Sequence, residues 1–232
     1  MFKVKSEWRA DGAAVLLWGG DKPDHIAAFR QDWRVDDPRG PNSSQLVLGN
    51  TPPNMLIAFR GESGEFSSGR RDNAVCVALR NAEVTRFRLE AVYGLGGGNA
   101  NGHICGIGLW DGGSHGITFG PREVYSDPRL AVWGSPRGWN NGNVDQSSNY
   151  SFNKKTGQLA VEADERNWTF SYREPNDMRE EGWKPIHQMR VSQPMQPALM
   201  PCTWDGNGRV DYGFFFVRLI ILPSDPLLQP KP

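Results

Sequence analysis

The segment between Trp133 and Tyr150 combines the side chains that carbohydrate recognition requires. After Trp133 it contains almost no aliphatic residue, and an indole ring stands among amides, a carboxylate and glycines. An indole face stacks on the C–H surface of a sugar, while amides and carboxylates hydrogen-bond hydroxyl groups. Loops longer than about 12 residues are uncommon in compact domains and are usually functional or disordered. We predict a carbohydrate-binding loop here; the alternative is a surface loop whose tryptophan packs in the core. The candidate ligand-binding residues are Trp139, Asn140, Asn141, Asn143 and Asp145.

Two further places repeat this chemistry at the ends of predicted strands. Trp110 precedes Asp111 and a glycine turn, and Trp204 precedes Asp205 and another glycine. If their loops share one rim with Trp139, three indole rings line a single groove. The alternative is that each tryptophan belongs to the core and is followed by an ordinary hairpin turn.

Acidic pairs on one strand face would suit glycoside cleavage. Such enzymes hold two carboxylates about 5–5.5 Å apart for retention of configuration, or about 6.5–9.5 Å apart for inversion. Glu162 and Asp164 lie two residues apart on a predicted strand, which separates their backbones by about 6.6 Å. A glycoside hydrolase or polysaccharide lyase is therefore the alternative function. Glu90 and Glu123 also lie on predicted strands, but each has an arginine beside it, and we expect solvated ion pairs there.

Motifs for metals and cofactors are missing from the sequence. The glycine run at residues 94–98 lies between strands, so it lacks the context of a dinucleotide-binding motif. No histidine or cysteine pair has transition-metal spacing. Cys76, Cys105 and Cys202 are an odd number in apolar or proline-flanked surroundings, which predicts packed thiols. We expect no metal and no cofactor.

Alternating apolar and polar residues predict the strands that position these side chains. The run from Gln158 to Arg173 contains two such stretches around a short polar turn, which predicts a β-hairpin. The run from Tyr212 to Leu222 is apolar on both faces and predicts a buried central strand. The segment from Pro23 to Trp33 has helical spacing, although part of it would also serve as an edge strand. Many short strands between glycine and proline turns predict an all-β, two-sheet antiparallel sandwich or jelly roll.

Composition narrows the class of protein further. The chain has 232 residues, of which 26 are basic and 26 acidic, so it lacks the positive field of a nucleic-acid-binding protein. No apolar stretch is long enough for a signal-peptide core or a membrane span. These features predict a cytoplasmic protein without nucleic-acid or membrane partners. No linker divides the chain, and we expect one domain over residues 1–232 with a proline-rich tail at 223–232.

Three segments, at residues 106–112, 159–173 and 209–214, are similar to strands and turns of the concanavalin A-like lectin and glucanase superfamily. The first is similar to the strand and turn of a glycine-rich inner sheet, the second to a paired ligand-probing hairpin and the third to a closing strand. The resemblance implies an antiparallel jelly-roll sandwich and a carbohydrate ligand.

This sequence departs from two site patterns of that superfamily. The strand from Leu159 to Asp164 partly resembles the metal-binding strand of legume lectins, but Ala163 and Glu165 replace the residues expected there, so no calcium site is implied. The glucanase signature, Glu-x-Asp-x-Glu or Glu-x-Asp-x-x-Glu, is also incomplete. Arg166 and Asn167 occupy the positions at which its second glutamate would stand.

These observations favour a lectin-like sandwich that binds a carbohydrate without cleaving it. The three tryptophans would stack on sugar rings, and the neighbouring amides and carboxylates would hydrogen-bond hydroxyl groups. The alternatives are the hydrolase or lyase described above and a protein-interaction or assembly module whose exposed aromatics form a flat patch.

Overall fold

The computed structural model describes residues 13–38, 46–51, 54–61, 64–67, 70–72, 74–80, 84–98, 103–124, 127–137, 143–191, 193–203 and 210–222. Over these residues the chain forms two large antiparallel sheets, a small two-stranded sheet and one α-helix. The prediction of an all-β, two-sheet antiparallel sandwich is confirmed. The predicted tail at 223–232 lies outside the described residues.

Strands make up most of the described chain. In order the elements are β1 (Ala14–Gly19), α1 (Pro23–Asp32), β2 (Trp33–Asp36), β3 (Leu46–Thr51), β4 (Met55–Gly61), β5 (Glu65–Ser67), β6 (Arg70–Asp72), β7 (Cys76–Leu79), β8 (Arg86–Gly98), β9 (His103–Trp110), β10 (Gly116–Val124), β11 (Asp127–Ser135), β12 (Val144–Ser148), β13 (Thr156–Asp164), β14 (Asn167–Arg173), β15 (Lys184–Arg190), β16 (Gln196–Thr203) and β17 (Val210–Ile221).

Each of the two large sheets contains a row of seven hydrogen-bonded strands. Sheet A runs β15, β14, β13, β8, β17, β4, β3, and β1 pairs with the C-terminal part of β17. Sheet B runs β12, β11, β10, β9, β16, β7, β2. Because β17 pairs with β8, β4 and β1, it lies inside sheet A, as its apolar faces predicted.

The predicted hairpin and helix are also confirmed. β13 and β14 pair from Gln158 opposite Arg173 to Asp164 opposite Asn167. The helix α1 has proline in its first turn, where the missing N–H removes no helical hydrogen bond. Its Phe29 ring stacks on Trp33 with 5.3 Å between ring centroids, which ties the helix to the core.

The segment from Trp133 to Tyr150 is not one long loop, so that prediction was wrong. β11 continues to Ser135, and β12 begins at Val144 as an edge strand of sheet B. Val144 is buried, while the following residues of β12 are polar and mostly exposed. An edge strand with one anchoring residue needs little aliphatic content, because its backbone pairs on one side only.

The main core lies between the two sheets. Alternate residues of β8, β13, β14 and β17 meet those of β9, β10, β11 and β16 there. Phe119 of sheet B and Phe170 of sheet A are both buried, with ring centroids 5.5 Å apart. Within the described part of the chain, no helix has the length and apolar character needed to cross a bilayer.

Two core tyrosines hold the connection between β12 and β13. The Tyr93 hydroxyl donates to the Asn153 carbonyl at 2.6 Å, and the Tyr172 hydroxyl accepts from the Asn153 N–H at 3.1 Å. Burial and the Glu174 carboxylate raise the pKa of the Tyr172 phenol, so this hydroxyl stays protonated and also donates to Glu174 at 3.1 Å. Both polar backbone groups of Asn153 are therefore fixed by side chains from sheet A.

Gly157 makes room for this pair of tyrosines. A Cβ at this position would lie 2.6 Å from Tyr172 Cε2 and 2.8 Å from Tyr93 Cε1. Both distances are far below ordinary van der Waals contact. The rings reach Asn153 because β13 carries no side chain at this position.

We predict that Gly157→Ala lowers the free energy of unfolding by about 1–3 kcal/mol, since the new methyl group overpacks the two rings. Urea unfolding followed by circular dichroism measures this. The control is Gly113→Ala in an exposed turn, where the nearest atom to the new Cβ lies 3.5 Å away; we expect a change within about 0.5 kcal/mol. Equal effects of the two substitutions would contradict the packing argument.

Candidate functional site

A cavity of about 280 Å³ lies at one end of the sandwich, where β11 begins and β12 leads into β13. We call it the Tyr150 pocket. Its polar lining residues are Arg129, Ser148, Asn149, Ser151 and Lys154. Its apolar lining residues are Pro128, Tyr150 and Phe152.

The side chains of this pocket are positioned by local hydrogen bonds and by the core below. Arg129 Nη1 donates to Asn149 Oδ1 at 2.6 Å, and the Tyr150 N–H donates to Ser148 Oγ at 3.0 Å. The Tyr150 and Phe152 rings contact Tyr172, with ring centroids 5.9 and 6.0 Å apart. The pocket therefore rests on the same tyrosine that fixes Asn153.

This lining is suited to binding a small polar molecule. Aromatic surface, an amide, hydroxyl groups and cations converge on one cavity whose volume is close to the lower end of the range for ligand sites. Aromatic rings accept C–H faces, and the amide and guanidinium groups form hydrogen bonds of fixed direction. A sugar ring presents both kinds of surface.

Trp110 is not a stacking platform, so that prediction was wrong. Its ring is 1% exposed and lies on the outer face of sheet B beside Cys76 and Met200. The guanidinium carbons of Arg71 and Arg34 lie 5.0 and 5.6 Å from the ring centroid. Trp110 therefore agrees with the alternative prediction, in which the tryptophan is packed and is followed by a hairpin turn.

Asp111 stabilises that turn. Its Oδ1 accepts from the backbone N–H groups of Gly113 at 2.8 Å and His115 at 3.1 Å. Its Oδ2 lies 3.0 Å from His115 Nδ1. Because both carboxylate oxygens have partners inside the turn, the predicted role in ligand binding is not supported by the geometry.

Of the three tryptophans predicted to share one rim, Trp110 is buried. Trp139 and Trp204 lie outside the described residues, so their place on a common rim stays a prediction. β16 begins with Gln196 opposite Trp110 and ends with Thr203 opposite His103. Thr203 lies about 23 Å along β16 from Gln196, at the other end of sheet B. The Tyr150 pocket lies at that other end, where β11 begins.

The remaining predicted ligand residues fall into two groups. Asn143 directly precedes β12, and Asp145 lies on β12, where its carboxylate is ion-paired with Arg122 Nη1 on the outer face of sheet B. The others lie outside the described residues and stay predictions: Trp139, Asn140, Asn141 and Asp205.

Sequence reasoning located part of the Tyr150 pocket and missed the rest. Asn149 and Tyr150 end the segment that the sequence singled out, but Arg129 and Lys154 were not considered. The missed signal was the alternation of Tyr150 and Phe152 with serine and asparagine, which places two rings on one side of an extended segment.

A buried charge network covers the outer face of sheet A. Arg88 Nε donates to Glu90 Oε1 at 2.6 Å, and Arg218 Nε donates to Glu90 Oε2 at 2.9 Å. Glu90 is 3% exposed, so the predicted solvated ion pair was wrong at this position. The members of the network are Arg88, Glu90, Glu162, Arg173, Glu180 and Arg218.

Residues 174–183 form a covering loop over this network. Gln158 Nε2 donates to the carbonyl groups of Glu174, Pro175 and Asp177 at 3.0–3.2 Å. The Trp183 ring lies over two buried guanidinium groups, with its centroid 4.8 Å from Arg88 Cζ and 4.3 Å from Arg173 Cζ. The loop therefore removes charges from water that strand alternation alone would place at the surface.

Three of the candidate catalytic acids, Glu90, Glu162 and Asp164, have arginine partners. Arg88 donates to Glu90 through Nε and to Glu162 through Nη1, so its guanidinium fills the space between these two carboxylates. Asp164 is ion-paired with Arg86 at 2.8 Å and its side chain is 62% exposed. The side chain of Glu123 lies outside the described part of the structure. Neither a glycosidic oxygen nor a hydrolytic water has room between Glu90 and Glu162.

Two other predictions concern metals and thiols. Among the described residues, no group of three or more His, Cys, Asp or Glu side chains is placed to hold a metal ion. Cys76 is fully buried, and its burial raises the pKa of the thiol. The prediction of a packed thiol is confirmed for this cysteine.

Several solved structures resemble this fold. A Saccharomyces cerevisiae protein of unknown function aligns with a TM-score of 0.55 and 12% identity, over 78% of this chain and 98% of its own. An engineered GH43 glycoside hydrolase with endo-xylanase and exo-arabinofuranosidase activity has a TM-score of 0.59 and 12% identity, over 84% of this chain and 39% of its own. Bacteroides ovatus xyloglucan PUL GH43B has a TM-score of 0.58 and 10% identity, over 82% of this chain and 37% of its own.

The chain thus spans less than two fifths of the length of these two GH43 proteins. No family model and no curated protein matches the sequence. At such low identity the likenesses show the fold alone, because one fold hosts many functions. The chemistry of the site is decided by its own residues.

We predict that Glu90→Gln lowers the free energy of unfolding by about 3–5 kcal/mol, because it leaves two buried guanidinium groups without their shared anion. Urea unfolding measures this. The control is Asp164→Asn, which breaks an exposed ion pair on the same sheet face and should change stability by about 0–1 kcal/mol. An equally small effect at both positions would show that the network is not sealed from water.

Proposed function

We propose that the protein binds a saccharide in the Tyr150 pocket and does not cleave it. The observation that carries this proposal is the convergence of Arg129, Asn149 and the Tyr150 ring on one cavity. The Tyr172 ring supports this cavity from the core, and we call it the floor of the pocket. Tyr150 offers an aromatic face to the C–H surface of a sugar ring. Asn149 and Arg129 offer hydrogen bonds to its oxygen atoms.

Hydrogen bonds to the core already hold the backbone beside the pocket in one conformation. This favours binding, because few side chains and loop residues have to become ordered when the ligand binds. Tyr93 and Tyr172 hold Asn153 in place, and Tyr172 also supports the two rings of the pocket. A preorganised site loses less conformational entropy on binding than a mobile loop does.

The solved neighbours support a role in glycan breakdown. Two of them are GH43 proteins, one of which has xylanase and arabinofuranosidase activity. Because this sandwich matches only part of those chains, we propose that it serves glycoside hydrolysis by holding a glycan rather than by cutting it. The jelly-roll, concanavalin A-like assignment belongs to the same proposal.

A glycoside hydrolase is the second candidate, and the GH43 neighbours favour it. Its acids would be Glu162, Asp164 or Glu90. Arg88 binds both Glu90 and Glu162, and Trp183 helps to cover this network. Asp164 is ion-paired with Arg86. Release of reducing sugar from xylan and arabinoxylan tests this candidate. Activity in the wild type that Glu162→Gln abolishes with the fold intact would replace the binding proposal; we expect no release.

For the binding proposal, we predict that Tyr150→Ala weakens saccharide binding about tenfold or more, because the stacking ring is lost. Isothermal titration calorimetry with a panel of plant and microbial oligosaccharides measures the affinity. The control is Lys155→Gln, an exposed change outside the pocket lining, which should leave affinity unchanged. Binding that is indifferent to Tyr150→Ala would place the ligand elsewhere.

A further inference from the structure

We infer that the saccharide of the Tyr150 pocket is acidic, and that Arg129 and Lys154 bind its anionic group. This inference rests on the proposed function and names its ligand class. Arg129 comes from the start of β11, and Lys154 comes from the connection between β12 and β13. Two distant parts of the chain thus bring cationic side chains to one cavity.

The lining of the pocket contains two cations and no acidic residue among those the structure describes. The presence of two cations in the lining is not a consequence of overall charge, because the chain has equal numbers of basic and acidic residues. The carboxylate of Glu174 accepts a hydrogen bond from the hydroxyl group of Tyr172, whose ring supports the pocket. It is not part of the lining.

The two cations differ in what they recognise. The planar guanidinium group of Arg129 matches a carboxylate or sulfate with paired hydrogen bonds, and its bond to Asn149 Oδ1 fixes its direction. Lys154 is exposed and adds a compact positive charge on a flexible side chain. A uronic acid or a sulfated sugar presents such an anion beside a C–H face that the Tyr150 ring can cover.

The test compares two anionic saccharides with an uncharged one. Trigalacturonic acid, its fully methyl-esterified form and a sulfated galactan trisaccharide are titrated into the protein by calorimetry at low and at physiological salt. We expect at least one of the two anionic ligands to bind about tenfold more tightly than the methyl ester, since hydrogen bonds to charged groups are the stronger ones. This preference should shrink as salt rises, because the pocket is open to solvent.

Neighbouring lysines supply the matched variants. Lys154→Gln should remove most of the preference for the anionic ligand, whereas Lys155→Gln, the same charge change at an exposed residue outside the lining, should leave it unchanged. Both side chains are exposed, so neither variant should disturb the fold.

The outcomes separate the two levels of the proposal. Binding of the methyl ester as tight as that of the acid, with no effect of Lys154→Gln, overturns the acidic ligand and leaves saccharide binding in place. Equal losses from Lys154→Gln and Lys155→Gln also overturn it, since the effect would then be one of general charge. If none of the three ligands binds and the wider oligosaccharide panel is negative as well, both proposals fail.

Discussion

Two hydrogen bonds to the backbone of Asn153 set the geometry on which the candidate site depends. Tyr93 and Tyr172 extend from the inner face of sheet A to the connection between β12 and β13 and engage both its carbonyl and its N–H. They reach it because Gly157 carries no side chain between their rings. The Tyr172 ring also contacts Tyr150 and Phe152, so the packing of the core positions the two aromatic rings of the pocket. A connection of this kind would otherwise be among the more mobile parts of a sandwich.

The outer face of sheet A carries charged residues that are buried and paired with one another. Five charged residues of the sheet lie beneath the covering loop, and the loop itself adds Glu180. The arginines and glutamates neutralise one another, and Trp183 stacks over two guanidinium groups. Burying a charged group costs free energy unless an opposite charge lies beside it. The paired charges therefore suit a network whose role is to hold the covering loop in place. In the Tyr150 pocket, the Lys154 side chain instead stays exposed to solvent. This contrast is why we assign ligand binding to the pocket and structural support to the network.

Local patterns were sufficient to predict much of the fold. Alternation in residues 158–173 predicted the hairpin, and the two apolar faces of residues 212–222 predicted the central strand, because both signals are carried by neighbouring residues. The burial of Glu90 could not be predicted in this way, since the loop that covers it comes from a distant part of the chain. The same reason explains Trp110, whose ring is covered by Arg34 and Arg71. Only part of the pocket could be predicted, because the pairing of β11 with β12 that brings Arg129 to the same lining as Lys154 is not encoded by neighbouring residues.

The central claim is that a saccharide occupies the Tyr150 pocket, and mapping the ligand residue by residue tests it most directly. An isotope-labelled sample is titrated with the tightest-binding oligosaccharide while backbone amide resonances are followed by nuclear magnetic resonance. The account predicts that the largest shifts fall on residues 148–154 and Arg129, with the turn at residues 111–115 unchanged. Shifts centred on that turn, on the covering loop over Glu90 and Glu162, or nowhere at saturating ligand would contradict it.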